Sequence, residues 1–216
     1  LKALEIDVYT LRRERQPPES HNEGYAESGQ GKGWEALRDT VAVCTRCALH
    51  QTRTQTVFGV GNPSADWMII GEAPGQEEDR YGEPFIGRAG KLLDQMLRSL
   101  ELDRQSVFIA NILKCRPPNN RDPVPEEAAA CRSYLEQQID LVQPKVIIAV
   151  GRVAAQHLLA TDAPVGHMRG KKHFMVDREL PVVVTYHPAY LLRSPTQKSK
   201  AWDDLVLARQ IFRESV

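Results

Sequence analysis

Three polar residues stand where apolar runs of strand length stop: Glu72 after Met68-Ile69-Ile70-Gly71, Asn111 near the end of Val107–Ile112, and His187 after Val182–Tyr186. A carboxylate and an imidazole can move protons, and an amide carries both an acceptor and donors. Taken singly, a Glu after a Gly is a cap or loop residue, an Asn at a strand end is a turn residue, and a His before Pro is structural. Their shared address is what matters. Carboxyl ends of strands are where open α/β sheets bind ligands, so residues far apart in sequence converge there on one crevice. The turn GEAPG lacks both GxxxxGK[ST] and GxGxxG, so it does not read as a phosphate cradle.

The four cysteines form a second set: Cys44-Thr45-Arg46-Cys47, then Cys115, then Cys131. A CxxC pair also serves redox chemistry, but two further thiols complete a four-thiolate set suited to zinc or an iron-sulfur cluster. Spacing alone leaves zinc, iron-sulfur and buried free thiols open.

Elements must bring these groups together. Met68–Ile70, Val107–Ile112, Val146–Val150 and Val182–Tyr186 read as strands, continuous in apolar character as in a parallel sheet buried on both faces. Gly71, Gly75 and Pro74 turn the chain sharply after the first of them. Helices are expected over Trp34–Val43, Gly87–Leu100, from Pro125 to Val142, from Val153 through Leu159, and over Trp202–Phe212. The alternation predicts a three-layer α/β/α fold with a central, mainly parallel four-stranded sheet and a metal-stapled loop region. Residues 1–33 read as an N-terminal arm and flexible linker, with Arg12 to Gly33 rich in Arg, Glu, Pro, Ser and Gly, and 34–216 as the single domain.

The 28 basic and 28 acidic residues of this 216-residue chain cancel, so no global field argues for nucleic acid. No run of about 18 apolar residues occurs. A soluble, cytoplasmic monomer is therefore expected, and in that compartment the cysteines are not read as disulfides.

GEAPGQEEDRYGEPFIGRAGKLLD, ANILKCRPPNNRDPVPEE and TYHPAYLLR resemble, in order and spacing, the signature segments of the family 4 uracil-DNA glycosylases, the thermostable-type branch of that superfamily. The likeness covers Trp34 to Phe212. It implies an enzyme that flips uracil out of DNA and hydrolyses its N-glycosidic bond, with a 4Fe-4S cluster on Cys44, Cys47, Cys115 and Cys131 in a structural role. By the same resemblance Phe85 would stack on the flipped base and Asn111 would bond its O4 and N3–H edge. His187 would donate to O2, Glu72 would position or activate water, and backbone N–H groups of the turn from Gly71 would contact base or phosphate. Glu78 and Tyr81, near the pocket in sequence, are candidates for excluding thymine's methyl group. Some relatives carry an inserted basic loop whose His traps the sugar; PFIGRAGKLLD runs on without one, so no covalent adduct is expected.

DNA contacts must come from local charge: Arg169, Lys171 and Lys172; Lys114, Arg116 and Arg121 around Cys115; and Arg193 after HPAYLL. Tyr190, Leu191 or Leu192 is expected to fill the space the base vacates, or to pack under the loop. Two other readings stand beside the glycosylase for uracil-containing DNA: a non-catalytic nucleic-acid-binding module, and a glycosylase for another damaged base.

Overall fold

A computed structural model of the chain describes residues 29–215. The expected arm and linker therefore lie outside the described residues up to residue 28. The expected first helix starts earlier than Trp34, as α1 (Gly29–Ala42).

The centre is a six-stranded sheet, not a four-stranded one. Its strands are β1 (Val60–Gly61), β2 (Trp67–Gly71), β3 (Phe108–Asn111), β4 (Val146–Val150), β5 (Lys172–Phe174) and β6 (Pro181–Thr185), in the order β1-β3-β2-β4-β6-β5. The four strands expected from sequence are the parallel ones, with Ile69 level with Ile109 and Ile148, and Ala149 level with Val184. The two additions are short antiparallel edges on β3 and β6. One has two residues and the other is polar and exposed, so neither carries the apolar run that marks a buried strand.

Alternation along the parallel strands divides the core between two faces. Met68, Ile70, Ala110, Ile147 and Val184 pack with residues of α1, of α4 (Pro125–Val142) and of α5 (Arg152–Leu159). Trp67, Ile69, Ile109, Ile148 and Val183 pack on the opposite face with α3 (Arg88–Ser99), α7 (Pro188–Arg193) and α8 (Lys198–Glu214). The short helices α2 (Gln76–Tyr81) and α6 (Val165–Met168) complete the set. No helix among the described residues is long and apolar enough to cross a membrane.

Helix α4 shows how local chemistry sets the frame. Pro125 opens it, Glu127 accepts from the Val124 N–H at 3.1 Å, and Arg121 pairs with the same carboxylate. Gln143 ends it in the left-handed region at φ 52°, followed by Pro144. The loop carrying Arg116 to Val124 is thereby clamped to the helix bearing Cys131.

Candidate active site

β2 and β4 are neighbours, and the chain leaves β2 toward β3 on one side and β4 toward β5 and β6 on the other, so the crevice outside their carboxyl ends is the sheet's switch point. A cleft of about 510 Å³ opens there, lined by Glu72, Gly75, Glu78, Phe85, Asn111 and His187, with Asn120, Arg121, Tyr190 and Arg193 toward its rim. A larger groove of about 800 Å³ lies at the opposite, amino ends of the strands, lined by Pro144, Lys145 and Pro181 among others. None of Glu72, Asn111 and His187 reaches it.

The three strand-end residues do converge. Asn111 is 2% exposed, and its Oδ1 has no hydrogen-bond partner among the described residues. Gly71 runs directly beneath: a Cβ there would come within 2.4 Å of Asn111 Oδ1 and 2.5 Å of the Phe85 ring. Glycine is what leaves room for both. Phe85 sits with its ring centroid 5.6 Å from that of His187, inclined by 31°.

Phe85 is held in the left-handed region, at φ 55°, a strained conformation for an aromatic residue. What holds it is a set of groups on either side. Glu78 accepts from the N–H groups of Gly75, Ile86 and Gly87 at 3.1–3.2 Å. Arg104 donates to the carbonyls of Pro84 and Phe85 and pairs with Glu83 and Asp94. Gly90 lets the first turn of α3 pass the Phe85 carbonyl, where a Cβ would stand 1.5 Å from the oxygen. Glu78 thus lines the cleft, while Tyr81 turns outward, 60% exposed beside Arg80.

Protonation follows from burial. The backbone N–H of Ala189 donates to His187 Nδ1 at 3.1 Å. Nδ1 is therefore the unprotonated nitrogen, and Nε2 carries the hydrogen. Burial, then the nearby Arg193 charge, depress the His187 pKa to about 4, so the ring is neutral at physiological pH. Burial likewise raises Glu72 to about 7, the Asp122 charge pushing the same way and Arg152 opposing it. Arg152 and Asp122 form an ion pair beside Glu72. Sequence reading missed both. They lie 30 positions apart, Asp122 in the loop before α4 and Arg152 at the start of α5, where it follows β4 as Glu72 follows β2.

The charged candidates divide. Arg116 donates to Asn120 at 2.7 Å, and Lys171 and Arg193 are exposed. Arg169 is bonded twice to the fully buried Asp204 and lies over Tyr186, whose ring stacks near Tyr190. Its charge is thus matched within the fold. Lys114 is 1% exposed and faces inward, which removes it from the expected phosphate contacts. Leu191 is also 1% exposed, packed with α3 and α8, which withdraws it as a wedge; Tyr190 and Leu192 remain outside at 36% and 37%.

The four cysteines line one hollow, joined by Arg53, Lys114 and Tyr134. No group of three or more His, Cys, Asp or Glu among the described residues is gathered closely enough to hold a single metal ion. Four thiols around one hollow are a donor set that fits a thiolate-bound metal centre. Burial pushes Cys115 up to about 11 despite the hydrogen bond from Arg53. Ionising such thiols calls for a strong local positive charge, which a metal centre supplies.

Fold and cleft together define an α/β protein with its ligand site at a sheet switch point. The family model of the uracil DNA glycosylase superfamily matches residues 58–206. A type-4 uracil-DNA glycosylase of Archaeoglobus fulgidus is 45% identical over 180 residues, covering 79% of this chain and 90% of the relative. One from Sulfurisphaera tokodaii is 41% identical over 184 residues, covering 82% and 84%. A type-5 uracil-DNA glycosylase of Thermus thermophilus is 34% identical over 119 residues, 48% of this chain and 54% of the relative. The chain belongs to the uracil DNA glycosylase superfamily and, within it, to the type-4 enzymes.

Proposed function

We propose that this chain is a uracil-DNA glycosylase that takes uracil out of the DNA stack and hydrolyses its N-glycosidic bond, leaving an abasic site. The observation that carries the reading is the orphaned Oδ1 of Asn111, buried in the cleft. A buried acceptor without a partner is costly, and the N3–H of uracil satisfies it while the Asn111 amide N–H donates to O4. Cytosine has no N3–H and presents a donor at C4, so the same amide opposes it. Phe85 stacks on the base, and the glycine backbone at Gly71 passes close beneath.

Bond cleavage leaves the electron pair on uracil N1. The Nε2–H of neutral His187 donates to O2 and stabilises that anion. Glu72 in its ionised form steadies the cationic sugar, and it takes the proton of the water that attacks C1′. Tyr190 and Leu192 are placed to fill the vacated stack, with Arg116, Lys171 and Arg193 toward the phosphates; Arg169 braces Tyr190 through Tyr186.

Cys44, Cys47, Cys115 and Cys131 are proposed to hold a 4Fe-4S cluster. Such a group supplies a structural cross-link here, joining the segment before β1 to the loop after β3 and to α4. The domain over 34–216 is proposed to be the catalytic unit.

The test is a panel of labelled oligonucleotides containing uracil, hypoxanthine, mispaired thymine or cytosine, incubated with the protein and EDTA and then cleaved at abasic sites with alkali. Strand breaks at uracil are expected. Breaks confined to another base, or DNA binding with no breaks at all, would overturn the proposal.

A further inference from the structure

Lys114 presents a physical problem that its neighbours resolve. Burying a lysine head group is costly unless it is bonded, and this one is 1% exposed with no carboxylate among the described residues paired to it. Its Nζ donates instead to the backbone oxygen of Asn111 at 2.8 Å and to Oε1 of Gln138 at 2.5 Å. Gln138, itself fully buried on α4, donates through Nε2 to the Phe58 carbonyl at 2.8 Å. The backbone of Lys114 is engaged as well. Its carbonyl accepts from the Val57 N–H at 2.8 Å, and its N–H donates to Cys131 Sγ.

A methionine or leucine would fill this space without desolvating a charge. What an apolar side chain cannot supply is a donor aimed at the Asn111 carbonyl. Asn111 is the last residue of β3; beyond it the N–H groups of Ile112 and Leu113 still donate to the Gly71 and Glu72 carbonyls at 2.9 and 3.0 Å, while the Asn111 carbonyl is held by Lys114 Nζ. A small rotation of its peptide there would swing the amide away from a base edge.

We propose that Lys114, braced by Gln138, is a positioning residue for base recognition: it fixes the Asn111 peptide so that the side-chain amide meets uracil, and it ties that peptide to the wall of the cysteine-lined hollow. This rests on Asn111 reading the base. Lys114 touches neither substrate nor reacting atoms; it acts through Asn111.

A double-mutant cycle tests it. Single-turnover excision of uracil is measured for wild type, Lys114→Met, Asn111→Ala and the double variant, with iron content and thermal midpoint recorded for each. Lys114→Met is expected to slow excision about ten- to a hundredfold, as misplacement by about an ångström does. In the Asn111→Ala background the same change is expected to cost no more than about twofold, because the group being positioned is gone. Equal losses in both backgrounds would mean that Lys114 only supports the fold, and would overturn the proposal. So would a wild-type rate in Lys114→Met. Should Lys114→Met fail to fold, Gln138→Met, which keeps the lysine and removes its brace, decides by the same cycle. An Asn111→Ala variant of wild-type rate would sink the reading of Asn111 itself, a different failure from additivity.

Discussion

At the scale of single residues, burial pushes Glu72 and His187 toward their neutral forms, and only one of them can work that way. In the roles proposed for them, neutral His187 keeps the Nε2–H it donates, whereas Glu72 must ionise to take a proton from water. Single-turnover excision is therefore expected to rise about tenfold per pH unit below about 7 and to level off above it, with no inflection from His187 between pH 5 and 9. Asp122→Asn removes a negative neighbour, lowers the Glu72 pKa and should move the rise to lower pH. Arg152→Ala removes a positive one and should move it higher. A profile unmoved by either would separate Glu72 from the rate.

Stability carries the same signature. The folded pKa of Glu72 lies above its unfolded value, so its contribution is fully favourable below about pH 4.5 and is lost as pH rises through about 7. Glu72→Gln should thus stabilise the fold by about 1–2 kcal/mol at pH 8, discounted for partial exposure, while abolishing turnover. Denaturant titration at pH 5 and 8 reads this out. The trio itself was legible in sequence because each member closes an apolar run. Lys114 was misread: a lysine in a proline-rich loop looks solvated, and only the packing of α4 over β3 shows that it points inward. The Asp122–Arg152 pair was illegible for a related reason, since pairing between a loop and a distant helix start leaves no local pattern.

At the scale of elements, two glycines and a strained aromatic shape the cleft. Gly71→Ala would drive a methyl group into Asn111 and Phe85, and a loss of about a hundredfold in kcat/KM is expected from the misplacement. Gly90→Ala would strike the Phe85 carbonyl. It should cost about 1–3 kcal/mol as overpacking, read as a lower thermal midpoint; an unchanged midpoint would mean that α3 can shift without cost. The parallel strands and α4 were readable because apolar runs, a proline at the start and a stop residue all agree there. Edge strands β1 and β5 were not, the first having only two residues and the second being mostly polar, and α2 and α7 were hidden by the Pro and Gly residues that start or flank them.

For the whole molecule, a net charge of zero leaves DNA affinity, in the proposed function, to the few cations near the rim of the cleft. Binding should weaken with salt with the shallow slope of a few phosphate contacts, and Arg193→Ala should reduce that slope by about 1. The cysteines lie on the segment ahead of β1, on the loop after β3 and on α4, so the cross-link they are proposed to form ties these three segments together. Cys131→Ser is expected to lose iron and thermal stability together. Its activity should fall through folding and DNA binding, not through the excision step of whatever protein remains folded.

The most direct measurement is single-turnover excision from a uracil-containing oligonucleotide at saturating protein, comparing wild type with Glu72→Gln, Asn111→Ala and His187→Ala, with DNA affinity measured in parallel. Excision by wild type, slowed at least about a hundredfold in each variant while affinity for uracil-free DNA is kept, is the predicted result. Variants that excise uracil at the wild-type rate would place the chemistry elsewhere than in this cleft.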